Sequence, residues 1–518
     1  MLNPTIKNIT TVFPIDRSAL HAPARYNQHR DIIKEFSLNT STHGIPGIAR
    51  SKSMHNRIFW LISFLAFLGI MCYFIIQAVL AYFQYPTLTL IGFADIWPQT
   101  FAAVTICNNS PLRYDQFIEP FLNYTNALNL TNTNDITTFT EEQASYIMDY
   151  TQYILNRNGS LNQFYYPLSS MLIKCTYNRM NCSVNDFVQF ASPVYGSCYT
   201  FNAQSPRINN NTIHYNNENG YSGELHLDLY IHSQQYVPHL SDAISLVAMV
   251  HDNTELPRVE AFGIQLAPGR KHRLGYYKRQ NTFLPSPYTT CADQITPRLQ
   301  TFYDQFSEAN YSYSQQLCYD VAMQAYTYQQ CGCVNPFQWG SRYIIPFGST
   351  TTVYASLCNA SDPCYAEAIS VFQSFASIYE KYAGDCGLEC SSTEFVLKIS
   401  SGLAPPRWSM NSIKQFVEST SIPLTSTWNE TWKEEIRENF VSLDIICEST
   451  TVESYTQQAT LGAVDIISNI GGQTGLWIGI SFLSLMEVAE MIYRLLRHQC
   501  TLFQRKPIGT QKQRNTRL

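Results

Sequence analysis

Four glycines and two glutamates interrupt an otherwise apolar stretch near the C-terminus, "GGQTGLWIGISFLSLMEVAE" at residues 471–490. Glycine weakens a helix, and carboxylates are costly in lipid, so a simple membrane anchor gains from neither. A pore accounts for both. Gly471, Gly472, Gly475 and Gly479 let helices approach closely and let the backbone leave helical geometry. Non-helical backbone at membrane depth is tolerated where it is buried in protein or lines water. At Gly479-Ile480-Ser481 an extended turn would aim carbonyl oxygens at a cation, and symmetry would make them a ring. Glu487 and Glu490 would then face an aqueous inner vestibule. The other reading of the same residues is a packed anchor with a glycine-rich dimer face.

Two elements must carry such a pore. "IFWLISFLAFLGIMCYFIIQAVLAY", Ile58 to Tyr82, holds no charge, and at about 1.5 Å per residue it crosses a hydrocarbon core of about 30 Å. The second span, expected over 463–496, has its apolar run from Ile466 to Met486, between Asp465 and Glu487. Arg50, Lys52 and Arg57 precede the first span, and Arg494, Arg497, Arg505 and Lys506 follow the second. The positive-inside rule therefore puts segments 1–57 and 497–518 in the cytoplasm and 84–462 outside. The first apolar run follows fifty-seven mostly polar residues, which suits a signal anchor over 58–83 rather than a cleaved signal peptide. Thirteen of the fifteen cysteines lie between the spans, as an oxidising compartment would favour. The same segment holds sequons for glycosylation at Asn108, Asn123, Asn129, Asn158, Asn181, Asn210, Asn310, Asn359 and Asn429. The net charge of −5 is mild and spread out, which gives no sign of nucleic-acid binding.

Between the spans the pattern is α+β. "TFAAVTICN" (100–108) reads as a buried strand, and "GELHLDLYI" (223–231) alternates as a half-buried one. Residues 109–190 read as mostly helix and loop, and "EAFGIQLAPG" (260–269) as strand then turn. Seven cysteines surround two helical stretches from Cys318 to Cys390, a helical hairpin held by disulfides. "EFVLKIS" (394–400) and "FVSLDIICEST" (440–450) read as strands, with an irregular stretch and a short helix between them. Residues 1–57 show little periodicity and are expected to be flexible or re-entrant.

Taken in order, His43-Gly44, "FAAVTICN", "GIQLAPG", "PYTTC", the cysteine-rich hairpin, "LDIICE" and "NIGGQTGLWIGIS" resemble the degenerin/epithelial sodium channel family over nearly the whole chain. The resemblance implies an acid-sensing-channel-like trimer, homomeric or heteromeric, whose second spans surround a sodium-selective, amiloride-blocked pore. It places the selectivity filter on Gly479, Ile480 and Ser481, and the re-entrant motif on His43 and Gly44. Pore and gate positions fall on Asp465, Ser468, Asn469, Gly472, Gly475, Glu487 and Glu490. It also implies the pairs Cys107–Cys198, Cys175–Cys182, Cys291–Cys390, Cys318–Cys386, Cys331–Cys364 and Cys333–Cys358, leaving Cys447 as a buried free thiol. Acid-sensing channels carry a further pair where this chain has Ala322 and Gly384, so both partners are missing together.

The stimulus is less constrained. Where acid-sensing channels have histidine after the first span this chain has Tyr85, and their aspartate before "IGGQ" is Asn469, with Asp465 one turn outward. Histidine is the side chain suited to mild acidification, so its absence disfavours proton gating. The aromatic-rich ectodomain looks most like the FMRFamide-gated branch. A peptide with Phe and Arg needs aromatic walls and a carboxylate. Tyr146, Asp149 and Tyr150, and Asp186, Phe187 and Phe190, are the candidates, although aromatic residues at helical spacing also suit a core. No zinc-ligand spacing, nucleophile elbow or phosphate-cradling glycine loop points to an enzyme or a bound cofactor; the permeant sodium ion is the expected small species. An ATP-gated channel would need an extracellular lysine cluster that is not found, and a non-conducting membrane receptor stays open.

Overall fold

The computed structural model describes residues 25–504 apart from 206–212, 217 and 307–308, so Asn210, Arg505 and Lys506 lie outside the described residues. The chain divides into two compact units, Met1–Thr87 with Ala459–Leu518, and Leu88–Gln458.

In the first unit the charge-free run forms one helix, Met54–Phe83, in which only Met71 is buried. Its apolar side chains face outward, as those of a helix long and apolar enough to cross a bilayer do when lipid rather than a protein core is their solvent. The second apolar run is broken. Gly462 caps the helix Ala463–Ile478 with its N–H held 2.8 Å from the Asp465 carboxylate, and the helix ends on Gly479 at φ 67°. A left-handed residue after the last turn is glycine's usual task. A second helix, Phe482–Gln504, leaves the break at 74° to the first. The segment before the first span is not irregular, as its weak periodicity suggested. Arg25–Asn39 and Ile45–Arg50 are helical, joined by a turn holding His43 and Gly44. Ile45 and Pro46 open the shorter helix, proline's fixed φ fitting a first turn.

In the second unit an eight-stranded mixed sheet runs Thr87–Asp95, Thr451–Ala459, Arg270–Thr282, Phe440–Cys447, Leu225–Tyr230, Leu172–Tyr177 and Met180–Asn181, with Ser391–Leu403 also pairing Arg270–Thr282. Leu225, Leu227 and Leu229 are fully buried and His226 and Asp228 between them are not, the period of a strand with one covered face. A five-stranded sheet holds Ala103–Asn108, every residue of it buried, beside Leu246–His251 and Gly196–Phe201. One core, including Phe101, Ile106, Tyr166, Leu274 and Leu443, packs between these elements.

Several local readings change. Val259–Phe262 is a helical turn rather than strand, and the strand begins only at Ile264. The hairpin's first arm is one helix, Gln315–Cys331, but its second breaks at Phe375 into Pro363–Ser374 and Ala376–Ala383. Two helices, Met410–Ser419 and Trp428–Asn439, replace the single short one before the last strands. Disulfides close Cys107–Cys198, Cys175–Cys182, Cys291–Cys390, Cys318–Cys386, Cys331–Cys364 and Cys333–Cys358, while Cys447 is free and buried. Asn108 must be withdrawn as a glycan site. It is 1 % exposed, its amide donates to the Ile231 carbonyl at 2.7 Å, and its oxygen accepts from Tyr236. Asn123, Asn129, Asn158, Asn181, Asn310, Asn359 and Asn429 are exposed.

Candidate functional site

The Ala463–Ile478 helix has two unlike faces. Asp465, Ser468, Asn469, Gly472 and Gly475 recur at three- and four-residue intervals, the repeat of a single helix face. All five are exposed in the chain. On another face Trp477 stacks on Phe74 and Phe67 of the first span, with ring centroids 6.0 and 6.1 Å apart, and its indole N–H donates to Gln473 at 2.8 Å. The aromatic face thus packs the two helices together and leaves the polar, glycine-lined face free.

That face leads to the break. The Gly479 N–H reaches the Gly475 carbonyl at 3.2 Å, the Ile480 N–H reaches Thr474 at 3.2 Å, and the next helix starts with the Ser481 N–H on the Ser484 hydroxyl at 3.0 Å. The N–H groups across the break are therefore engaged. The carbonyls of Gly479 and Ile480 accept no hydrogen bond among the described residues. Unpaired main-chain oxygens at membrane depth call for water or a cation.

The His43–Gly44 turn braces the break. The His43 N–H donates to the Ile478 carbonyl at 2.8 Å, and a methyl group added at Gly479 would lie 1.7 Å from His43 Nδ1. A Cβ at Gly44, itself at φ +92°, would lie 2.9 Å from the Phe64 ring of the first span. About two helical turns beyond the break, Glu487 is not a free carboxylate. Its Oε2 accepts from the Thr40 hydroxyl and the Ser41 N–H, both at 2.9 Å, and the Ser41 and buried Ser484 hydroxyls meet at 2.6 Å. Glu490 is exposed beside Arg494, which pairs with Glu35 at 2.8 Å. Sequence reasoning missed Thr40, Ser41 and Ser484. The only signal was the cluster "NTST" before His43.

The ectodomain candidates separate. Tyr150 is 5 % exposed and packs edge-on against Phe117 and Phe121, so it is a core residue. Tyr146 packs against the same cluster, and Asp149 is partly covered, its carboxyl raised above the ordinary range by burial. Asp186 caps its own turn by accepting from the Ser183 N–H at 2.7 Å, and Phe187 is buried against Phe201. Phe190 differs: it lines two neighbouring cavities of about 410 and 580 Å³. Cys318, Asp385 and Cys386, a trio with metal-ligand atom types, has both thiols in a disulfide and cannot bind an ion as thiolates.

The amiloride-sensitive sodium channel family profile matches residues 36–491. The chain belongs to this family. It is 23 % identical to the FMRFamide-activated amiloride-sensitive sodium channel of Cornu aspersum, over 93 % of this chain and 88 % of that one. It is likewise 23 % identical to acid-sensing ion channel 1C of Danio rerio, over 90 % and 84 %. With epithelial sodium channel subunit gamma-2 of Xenopus laevis the identity is 25 % over 63 % of the chain, which spans under half, 46 %, of that relative's length. The family is one of ion channels, and two apolar segments of this chain have the character of membrane spans.

Proposed function

We propose that the chain forms a sodium-selective, amiloride-sensitive cation channel of the plasma membrane, opened by an extracellular FMRFamide-like peptide. Three copies surround an axis, with both termini in the cytoplasm and the bilayer around the first spans. One observation carries this reading: the exposed face of Asp465, Ser468, Asn469, Gly472 and Gly475 ends at a break where two carbonyls lack partners. A dimerising anchor would use its glycines for contact but has no use for a break braced by a separate turn. Gly479, Ile480 and Ser481 select the ion, Asp465 supplies the outer carboxylates, and His43 and Gly44 hold the filter from below. Peptide gating is supported by the FMRFamide-activated relative and by the aromatic ectodomain. The test is voltage clamp of cells expressing the chain, challenged with amidated peptides, acid and amiloride. Absence of sodium-selective, amiloride-blocked current at verified surface density refutes the channel.

Opening or modulation by acid is a second reading with an observation of its own. Burial pushes the Glu255 carboxyl up to about 7, only partly offset by the Arg258 charge and a backbone hydrogen bond at Asp252, with the Asp252 and Glu389 charges adding a little to the rise. Such a group changes charge on mild acidification. If acid acts there, Glu255→Gln should shift the pH dependence of the current, and an unchanged profile removes this reading.

A further inference from the structure

The ectodomain holds a carboxylate that makes no ion pair among the described residues, set in an aromatic cavity. Phe190, Phe302, Phe306 and Phe337 wall the cavity of about 410 Å³, with Asp320 on the Gln315–Cys331 helix and Glu260 at its polar side. Asp320 accepts only from the Gln316 amide, at 3.3 Å, and among the described residues it makes no ion pair. Arg258 lines the same cavity, but its guanidinium lies over the Phe262 ring, 4.7 Å from the centroid. Two carboxylates against one engaged cation leave the cavity negative, and burial raises the Asp320 carboxyl. The neighbouring cavity of about 580 Å³ shares Phe190 and Phe306 and continues past Trp339 and Tyr343. Its one arginine, Arg342, is held by the carbonyls of Leu155 and Ala355 and by Asn156. Its N–H groups are thereby committed to neutral acceptors, while its charge is retained. Each volume falls within the roughly 300–1,000 Å³ usual for a ligand pocket.

We propose that this double cavity binds the opening peptide, a short amidated chain whose cationic side chain pairs with Asp320 and whose aromatic residues lie among Phe190, Phe306 and Phe337. The proposal rests on the peptide-gated reading and names its site. The Asp320 carboxylate, which makes no ion pair, and the aromatic lining decide the occupant, because a guanidinium is drawn to both. Asp320 is two residues from Cys318, and the Gln315–Cys331 helix is tied through Cys318 to Cys386 and through Cys331 to Cys364. A pull on Asp320 is then passed to the hairpin rather than absorbed by one flexible helix.

The test uses the full chain in oocytes, with Phe-Met-Arg-Phe-NH2 as probe and surface biotinylation as control. Asp320→Asn should raise the half-maximal concentration at least tenfold and leave amiloride block and reversal potential unchanged. A probe with norleucine in place of arginine should be weaker on the unmodified channel, yet lose little more on Asp320→Asn. Phe337 is 51 % exposed, so Phe337→Ala folds without difficulty and should also lose potency severalfold. If the unmodified channel answers the probe and both variants keep its potency, or the arginine and Asp320 effects simply add, the site is elsewhere and peptide gating stands. If the unmodified channel ignores the probe while passing amiloride-sensitive current to acid, peptide gating and this site fall together.

Discussion

Adding one methyl group at Gly479 tests the brace beneath the proposed filter. Gly479 has φ 67°, where an L side chain costs ~1–2 kcal/mol. The new Cβ would lie 1.7 Å from His43 Nδ1, so the ring or the filter must move, and overpacking of this kind costs ~1–3 kcal/mol. Together these amount to ~2–5 kcal/mol against the observed arrangement, which shifts its population from ~30-fold to over ~1,000-fold. Gly479→Ala should therefore reach the cell surface but lose current amplitude and preference for sodium. His43→Ala in the same chain removes the overlap and keeps the backbone bond to Ile478, leaving only the backbone term. The double variant should recover part of the current in voltage clamp. Normal, selective current from Gly479→Ala, or a double variant no better than the single, would refute the close approach of the two segments.

Trp477→Ala removes stacking on Phe67 and Phe74, at ~0.5–1.5 kcal/mol for each ring pair, so the solubilised protein should melt earlier by fluorescence-detected gel filtration. His226 in the large sheet is bonded to Asp228 at 3.3 Å and Asp444 at 2.7 Å, which raise its pKa from an ordinary 6.5 to about 9. A raised folded-state pKa means the stabilisation is complete below about 6.5 and is lost as pH climbs through about 9. It is worth about 2–3 kcal/mol at neutral pH. Melting temperature should fall between pH ~7 and ~10, and His226→Gln should flatten that fall; a parallel decline in the variant contradicts the assignment. Asn108→Gln should leave the glycosidase-sensitive gel shift unchanged while destabilising the protein by about 1–3 kcal/mol through its buried amide. Asn359→Gln should remove one glycan step.

What could be read from the sequence was whatever one periodicity or one residue type determines. Leu225, Leu227 and Leu229 betray their strand because side chains alternate across a half-covered sheet, and the charge-free run ending at Tyr82 admits few structures besides a span. The glycines marked the broken helix, since only a residue without a Cβ both adopts φ 67° and admits His43 so closely. Contacts between distant segments were not legible. Nothing local says that Glu487 is held by Thr40 and Ser41, more than four hundred residues earlier, so it read as a free carboxylate. A sequon also carries no sign of burial, which is how Asn108 was mistaken for a glycan site. The same ambiguity attaches to aromatic residues: Tyr150 and Phe190 look alike in sequence, and only packing makes one core and the other cavity wall.

The central claim is that an ion crosses the membrane past the carbonyls of Gly479 and Ile480 and is chosen there. It is tested most directly by the reversal potential of the amiloride-blocked current as external sodium is exchanged for potassium. The unmodified channel should show a large negative shift, Ser481→Ala a smaller one, and Ile467→Ala, on the far side of the same helix, an unchanged one. An unselective current, or equal shifts in all three, would contradict the account.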